Sequence, residues 1–229
     1  FMKIHHLIFL LFIMLMYGSS YPVGKLGTNI FSPLLMGSLR SLFLFIAVLP
    51  FFRFSFPKNN RLNFILFCFV MGVGTYSCVY LAIDASSLIS PIIIGAQLSV
   101  PFGLILSNFF LKEKISLKKC FLILCSFIGI IIIAYDPRFI DQIVGLIFVI
   151  MMAFFYAAAN ILSRSLKDVS TIDQIGWHSL VGFITLFIFS FFIEGNILNQ
   201  LYPINYYGMF ASFHAGIFVS LIGHGGLFY

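Results

Sequence analysis

Charge is scarce in this chain. Of its 229 residues, only 9% are Asp, Glu, Lys or Arg, against about 25% in a soluble domain. Too few polar side chains exist to coat a water-facing surface, which excludes an ordinary soluble enzyme, a disordered chain and a nucleic-acid-binding domain. Acid is the scarcer sign, with 7 Asp+Glu against 13 Lys+Arg. No Asp or Glu falls in the middle of an apolar run, so an obvious carboxylate proton carrier is missing. The basic residues are scattered among short polar segments and imply no nucleic-acid partner. Cysteine is sparse too: Cys68, Cys78, Cys120 and Cys125 all sit in apolar runs and form no CxxC pair, which reads as four small hydrophobes. His178, His214 and His224 form no pair at i, i+3 or i+4, so no metal is expected. There is no Walker-type phosphate loop and no cofactor motif. No cleavable signal is expected in this sequence, since the first apolar run is long and lacks a clear A-x-A site.

What is abundant is apolar sequence. Hydrophobic residues make up 61%, 31 of them Phe, and the mean hydropathy is +1.10. In hydrocarbon every backbone polar group must be satisfied internally, so the fold class expected is an all-α polytopic membrane protein in a lipid bilayer. A helix rises about 1.5 Å per residue and a hydrocarbon core is about 30 Å thick. On that measure about eight spans fit, at roughly 4–26, 33–52, 62–83, 88–111, 117–135, 143–164, 174–194 and 208–229. Lys3, then Arg53, Lys58 and Arg61, then Lys112, Lys114, Lys118 and Lys119, then Arg164 and Lys167 all fall on one side of such an arrangement. Asp84, Asp136, Asp141 and Glu194 fall on the other, with Arg138. By the positive-inside rule the N-terminus is expected in the cytoplasm.

The chain also carries a weak internal likeness. An offset of 139 residues lays Leu7-Ile8-Phe9 on Leu146-Ile147-Phe148, Tyr17 on Tyr156 and Lys25 on Arg164. Span one runs outward and span six inward, so a repeat of five spans must be inverted, which is a transporter arrangement. The expected repeats are 1–138 and 139–229, the second holding three helices. The sequence opens on Phe1 and stops in apolar sequence at Tyr229, so a fragment with two further spans beyond its end is expected.

Span one reads Tyr17-Gly18-Ser19-Ser20-Tyr21-Pro22, span two carries Arg40, and span four runs from Gln97-Leu98-Ser99-Val100-Pro101-Phe102 to Phe110-Leu111-Lys112-Glu113-Lys114-Ile115-Ser116. Span five ends at Asp136-Pro137. This pattern resembles the EamA-type drug/metabolite transporter superfamily. The resemblance implies ten helices in two inverted five-helix repeats and a small-molecule solute, amino-acid-like or nucleotide-like, moved by alternating access. It implies no enzyme activity. Phe-, Ile- and Asn-rich composition points to an AT-rich bacterial genome, hence a bacterial inner membrane.

A polar group within hydrocarbon faces the bundle interior by default. Tyr17, Ser20 and Tyr21 are therefore candidate cavity residues, or else aromatic anchors at the interface. Arg40 is deep enough to need a partner, either a substrate anion or a helix C-terminus, whereas Lys25 is expected to snorkel outward. Gly72, Tyr76 and Tyr80 recur every four residues, as do Tyr156 and Asn160, and each set reads as a cavity face or as core packing. Gln97 is a substrate-contact or flexing point, because Pro101 frees its carbonyl. Gly95, Ser99, Gly103 and Ser107 read as a helix-packing stripe. His224, between two glycines, is either a titrating residue or a structural histidine. Glu113 reads as a cytoplasmic cap or ion pair. Two other readings stand beside transport: a membrane-embedded enzyme, which needs a convergent catalytic cluster not seen here, and a non-transporting truncated fragment. Oligomeric state is not legible.

Overall fold

A computed structural model describes residues 4–112, 115–135, 142–195 and 197–224, with side chains for most of them. Helices occupy each of the eight expected segments. They are α1 (Ile4–Thr28), α2 (Pro33–Val48), α3 (Arg61–Asp84), α4 (Ser90–Leu111), α5 (Leu117–Tyr135), α6 (Ile143–Arg164) and α7 (Thr171–Glu194). A short α8 (Ile197–Leu201), not anticipated, precedes α9 (Tyr206–Phe213), whose axis continues as a π-helix over His214–His224. Among the described residues five helices, α2 with its 3₁₀ turn, α3, α4, α6 and α7, are long and apolar enough to cross a membrane. The chain is an all-helical polytopic membrane protein.

Local chemistry sets where the helices begin. α7 starts three residues earlier than hydropathy indicates because Ser170 caps it, its Oγ accepting from the Asp173 amide at 3.1 Å. Asn205 caps α9 in the same way, accepting from the amides of Tyr207 and Gly208. α1 continues through Pro22 to Thr28 rather than loosening there. α4 is interrupted at Gln97 and Leu98, as Pro101 requires, but the carbonyl that Pro101 leaves is taken by the Val100 amide at 3.1 Å. The expectation of a free carbonyl at Gln97 is corrected accordingly.

α2 is the hub, with ten of its 16 residues buried. Its most extensive partner is α7, and α9, α3 and α1 pack around the pair. Two backbone approaches fix this centre. A Cβ on Gly182 of α7 would lie 2.6 Å from the Gly72 carbonyl oxygen of α3, and one on Gly72 would meet the His178 carbonyl oxygen. A Cβ on Gly216 of the last helix would lie 2.7 Å from the Arg40 carbonyl oxygen of α2. Small residues thus let backbones touch where lipid offers no hydrophobic drive to association.

Both ends of the α2–α7 pair are tied by carboxylates. Glu194 accepts from the amides of Leu34 (2.7 Å) and Leu35 (3.2 Å) and from the hydroxyls of Ser32 and Ser190, so it caps the first turn of α2 from the end of α7. At the other end Asp173 accepts from the Arg53 amide (2.9 Å) and the Ser55 hydroxyl (2.7 Å) just beyond α2. Lys25 runs to the end of α3 that carries Asp84. Its Nζ donates to the carbonyls of Ile83 (2.9 Å), Asp84 (3.3 Å) and Ser86 (2.8 Å), bracing α1 against the end of α3.

The periphery looks different. Leu117, Phe121, Leu124 and Ile132 of α5 and Phe109 and Phe110 of α4 are exposed, as lipid-facing side chains must be. Cys120 and Cys125 of α5 are exposed with them, whereas Cys68 and Cys78 are buried, so only two of the four thiols are interior.

Candidate functional site

A cavity of about 510 Å³ opens between α1, α2, α3, α4, α6 and the last helix. Tyr17, Gly18, Ser20 and Tyr21 line it from α1, one turn apart. Pro22 does not interrupt that face. Tyr76, Val79, Tyr80 and Ile83 line it from α3, Ile93, Ala96, Gln97 and Ser99 from the break in α4, and Met152 and Tyr156 from α6. Arg40, midway along α2, is the one cation among its described lining residues, and no Asp, Glu, His or Cys lies among them.

Arg40 is 4% exposed. Its guanidinium carbon stands 3.4 Å from the centroid of the Tyr76 ring, a cation–π stack. Nη2 donates to the Ser220 hydroxyl, which in turn donates to the Ala215 carbonyl at 2.8 Å and so closes a turn of the π-helix. Nη1 has no hydrogen-bond partner among the described residues, and neither has the buried Tyr76 hydroxyl. Of the two roles open to Arg40 in the sequence, capping a helix C-terminus is not seen among the described residues.

The structure gathers Tyr17, Ser20, Tyr21, Arg40, Tyr76, Tyr80, Gln97 and Tyr156 around one space. Asn160 does not join them. It is exposed, and its amide donates back to the Tyr156 carbonyl at 2.8 Å. The side chain of His224 lies outside the described residues, as does Glu113. Gly72 does not line the cavity with Tyr76 and Tyr80; it lies against the α7 backbone at His178, the residue whose ring is also beside that of Tyr76. The α4 stripe also divides. Gly95 packs on Val149 and Ser107 is buried, but Ser99 lines the cavity and a Cβ on Gly103 would meet nothing within 4 Å. Lining residues not singled out in the sequence, such as Met14, Val79, Ile83 and Ile93, lie three or four positions from a named one. Helical spacing was the available signal for them.

A cavity between the helices of an all-helical membrane bundle defines a class of protein, and comparison with known proteins supplies the family. Residues 5–135, more than half of the chain, match the EamA-like transporter family. The chain belongs to that family. It is 27% identical over 198 residues to "Uncharacterized transporter YoaV" of Bacillus subtilis (strain 168), an alignment covering 79% of this chain and 64% of the relative. The chain thus spans less than two thirds of that relative's length. No solved structure matches it.

Proposed function

We propose that this chain forms part of a secondary transporter that carries a small organic solute across a bacterial inner membrane by alternating access. One observation carries the reading: the cavity between the helices, about 510 Å³, falls in the range of about 300–1,000 Å³ typical of small-molecule sites. Its wall combines aromatic rings, hydroxyls, an amide and a single cation. Family membership and the printed name of the Bacillus subtilis relative point the same way. The described lining has no His, Cys, Asp or Glu, which favours holding a solute over transforming it. The same lack of a carboxylate favours solute exchange or facilitated flux over proton coupling.

The two-repeat arrangement, 1–138 and 139–229, draws support from packing. A glycine in the π-helical turn of α3 touches the backbone of α7, and a glycine in the π-helix after α9 touches the backbone of α2. Under an inverted repeat these two contacts are mates, span three on span seven and span eight on span two. With the N-terminus cytoplasmic, the Glu194–Ser32 tie lies on the outer side. The test is reconstitution of the full-length protein in proteoliposomes with a metabolite panel. Saturable flux or counterflow of some member is expected. Neither flux nor counterflow for any solute in a broad panel would sink the proposal.

A further inference from the structure

We infer that the cavity selects an organic monoanion, with one carboxylate held by Arg40 and Tyr76 and an apolar or aromatic body held against tyrosine rings. This rests on the transport reading above and narrows its substrate class. The first ground is an unmatched charge. Arg40 is 4% exposed and Nη1 has no partner among the described residues. Desolvating a cation without an anion is costly, and no carboxylate lies among the described lining residues to offset it. The second ground is the kind of group left unpartnered. The Tyr76 hydroxyl is buried without a partner, and the ring that bears it is the one on which the guanidinium stacks. Two donors at one place lack acceptors. A carboxylate supplies two acceptor oxygens and a negative charge, with no donor of its own.

Charge counting then limits the ligand. One cation neutralises one negative charge. A phosphate monoester or nucleotide brings a second, with no second cation among the described lining residues to pair it. An organic cation meets Arg40 as a like charge. Beyond Arg40 the wall consists mainly of Tyr80, Tyr156, Met152 and aliphatic side chains, which suit an apolar body. An amino group on the ligand finds no acid here, so it is not required for binding.

The probes are phenylacetate and indole-3-acetate, each beside its primary amide, together with phenyl phosphate and benzylammonium. Thermal unfolding of the full-length protein in detergent reads binding. Saturable stabilisation is expected from the acids, less from phenyl phosphate, and none from the amides or benzylammonium. Arg40→Gln is expected to raise the half-saturating acid concentration about tenfold or more, with Arg40→Lys intermediate. The unliganded Arg40→Gln protein should unfold no earlier than wild type, since the substitution removes a buried unmatched charge; a purely structural arginine would lower it. Should Arg40→Gln fail to fold, the acid-against-amide comparison on wild type and Arg40→Lys decides. Amides stabilising as well as acids, or acids acting equally on wild type and Arg40→Gln, would overturn the assignment. Proteoliposome flux separates the two proposals. Acid binding without saturable flux keeps the site and removes the transport reading. Flux of neutral or cationic solutes unchanged by Arg40→Gln keeps transport and removes the monoanion site.

Discussion

Glu194 and Arg40 are both charged, both on helices of the central pair, and treated in opposite ways. Glu194 receives four hydrogen bonds, two from backbone amides at the start of α2 and two from serine hydroxyls. Arg40 has a hydroxyl on one amino group, an aromatic face beneath it, and nothing on the other. The glycines divide in the same sense. At Gly72 an added methyl would strike the α7 backbone, whereas at Gly18, on the cavity wall, it would meet nothing within 4 Å. Where α7 meets α2 and α3, Glu194 is fully matched and the space beside Gly72 is closed. At the cavity, a donor and a volume are left over. A buried group without a partner is expensive, and at Arg40 that cost is the ground for the proposed solute contact.

The contrast is open to breaking. Gly72→Val should have the largest effect on stability, because the obstructing atom is backbone and cannot swing aside. Overpacking of this kind costs about 3 kcal/mol, read as an early thermal transition of the full-length protein. Gly18→Ala should leave stability equal or raise it by about 0.5–1 kcal/mol, a helix-propensity gain, while altering solute affinity. Equal losses at both positions would erase the distinction between seam and cavity. Next in size is Glu194→Ala, which strips the first turn of α2 of its charged acceptor and should cost about 2 kcal/mol. Glu194→Gln should recover part of that loss. An unchanged unfolding temperature in the alanine variant would show that the tie between α2 and α7 carries no weight.

Much of this arrangement is legible in one-dimensional sequence, for identifiable reasons. Span positions follow from apolar run length, which lipid enforces directly. Polar residues inside those runs must face inward, and that reasoning reaches eight of the cavity's lining residues, from Tyr17 to Tyr156. It fails at Gly72, which packs against the α7 backbone at His178 rather than lining the cavity, and hydropathy gives no notice of such an approach. It gives no notice of the partners of Lys25, whose side chain was expected to run outward. The carbonyls that hold it belong to residues 83 to 86, and their proximity is a tertiary fact. It fails for Gly103 as well, since a small residue at the right spacing licenses a close approach without requiring one. Asn160 illustrates the same limit, because an amide in an apolar helix has a local option, its own backbone one turn back.

Two smaller effects sharpen the boundary between brace and site. Lys25→Met removes three carbonyl contacts at the end of α3 and should cost about 1 kcal/mol, the scale of a cation at a helix C-terminus. Because Ile83 is both a partner of Lys25 and a cavity-lining residue, the same substitution should also change the rate of flux, with affinity for solute held within about twofold. Asn160→Ala should do least of all. Its amide is exposed and bonded to its own helix, so stability within about 0.5 kcal/mol and unaltered flux are expected, whereas Tyr156→Phe, one turn earlier and on the wall, should weaken solute binding. If the two variants traded places, with Asn160→Ala the more damaging to affinity, the cavity would have to extend a further turn along α6. The hydrogen bond from Asn160 to the Tyr156 carbonyl would then belong to a state without solute.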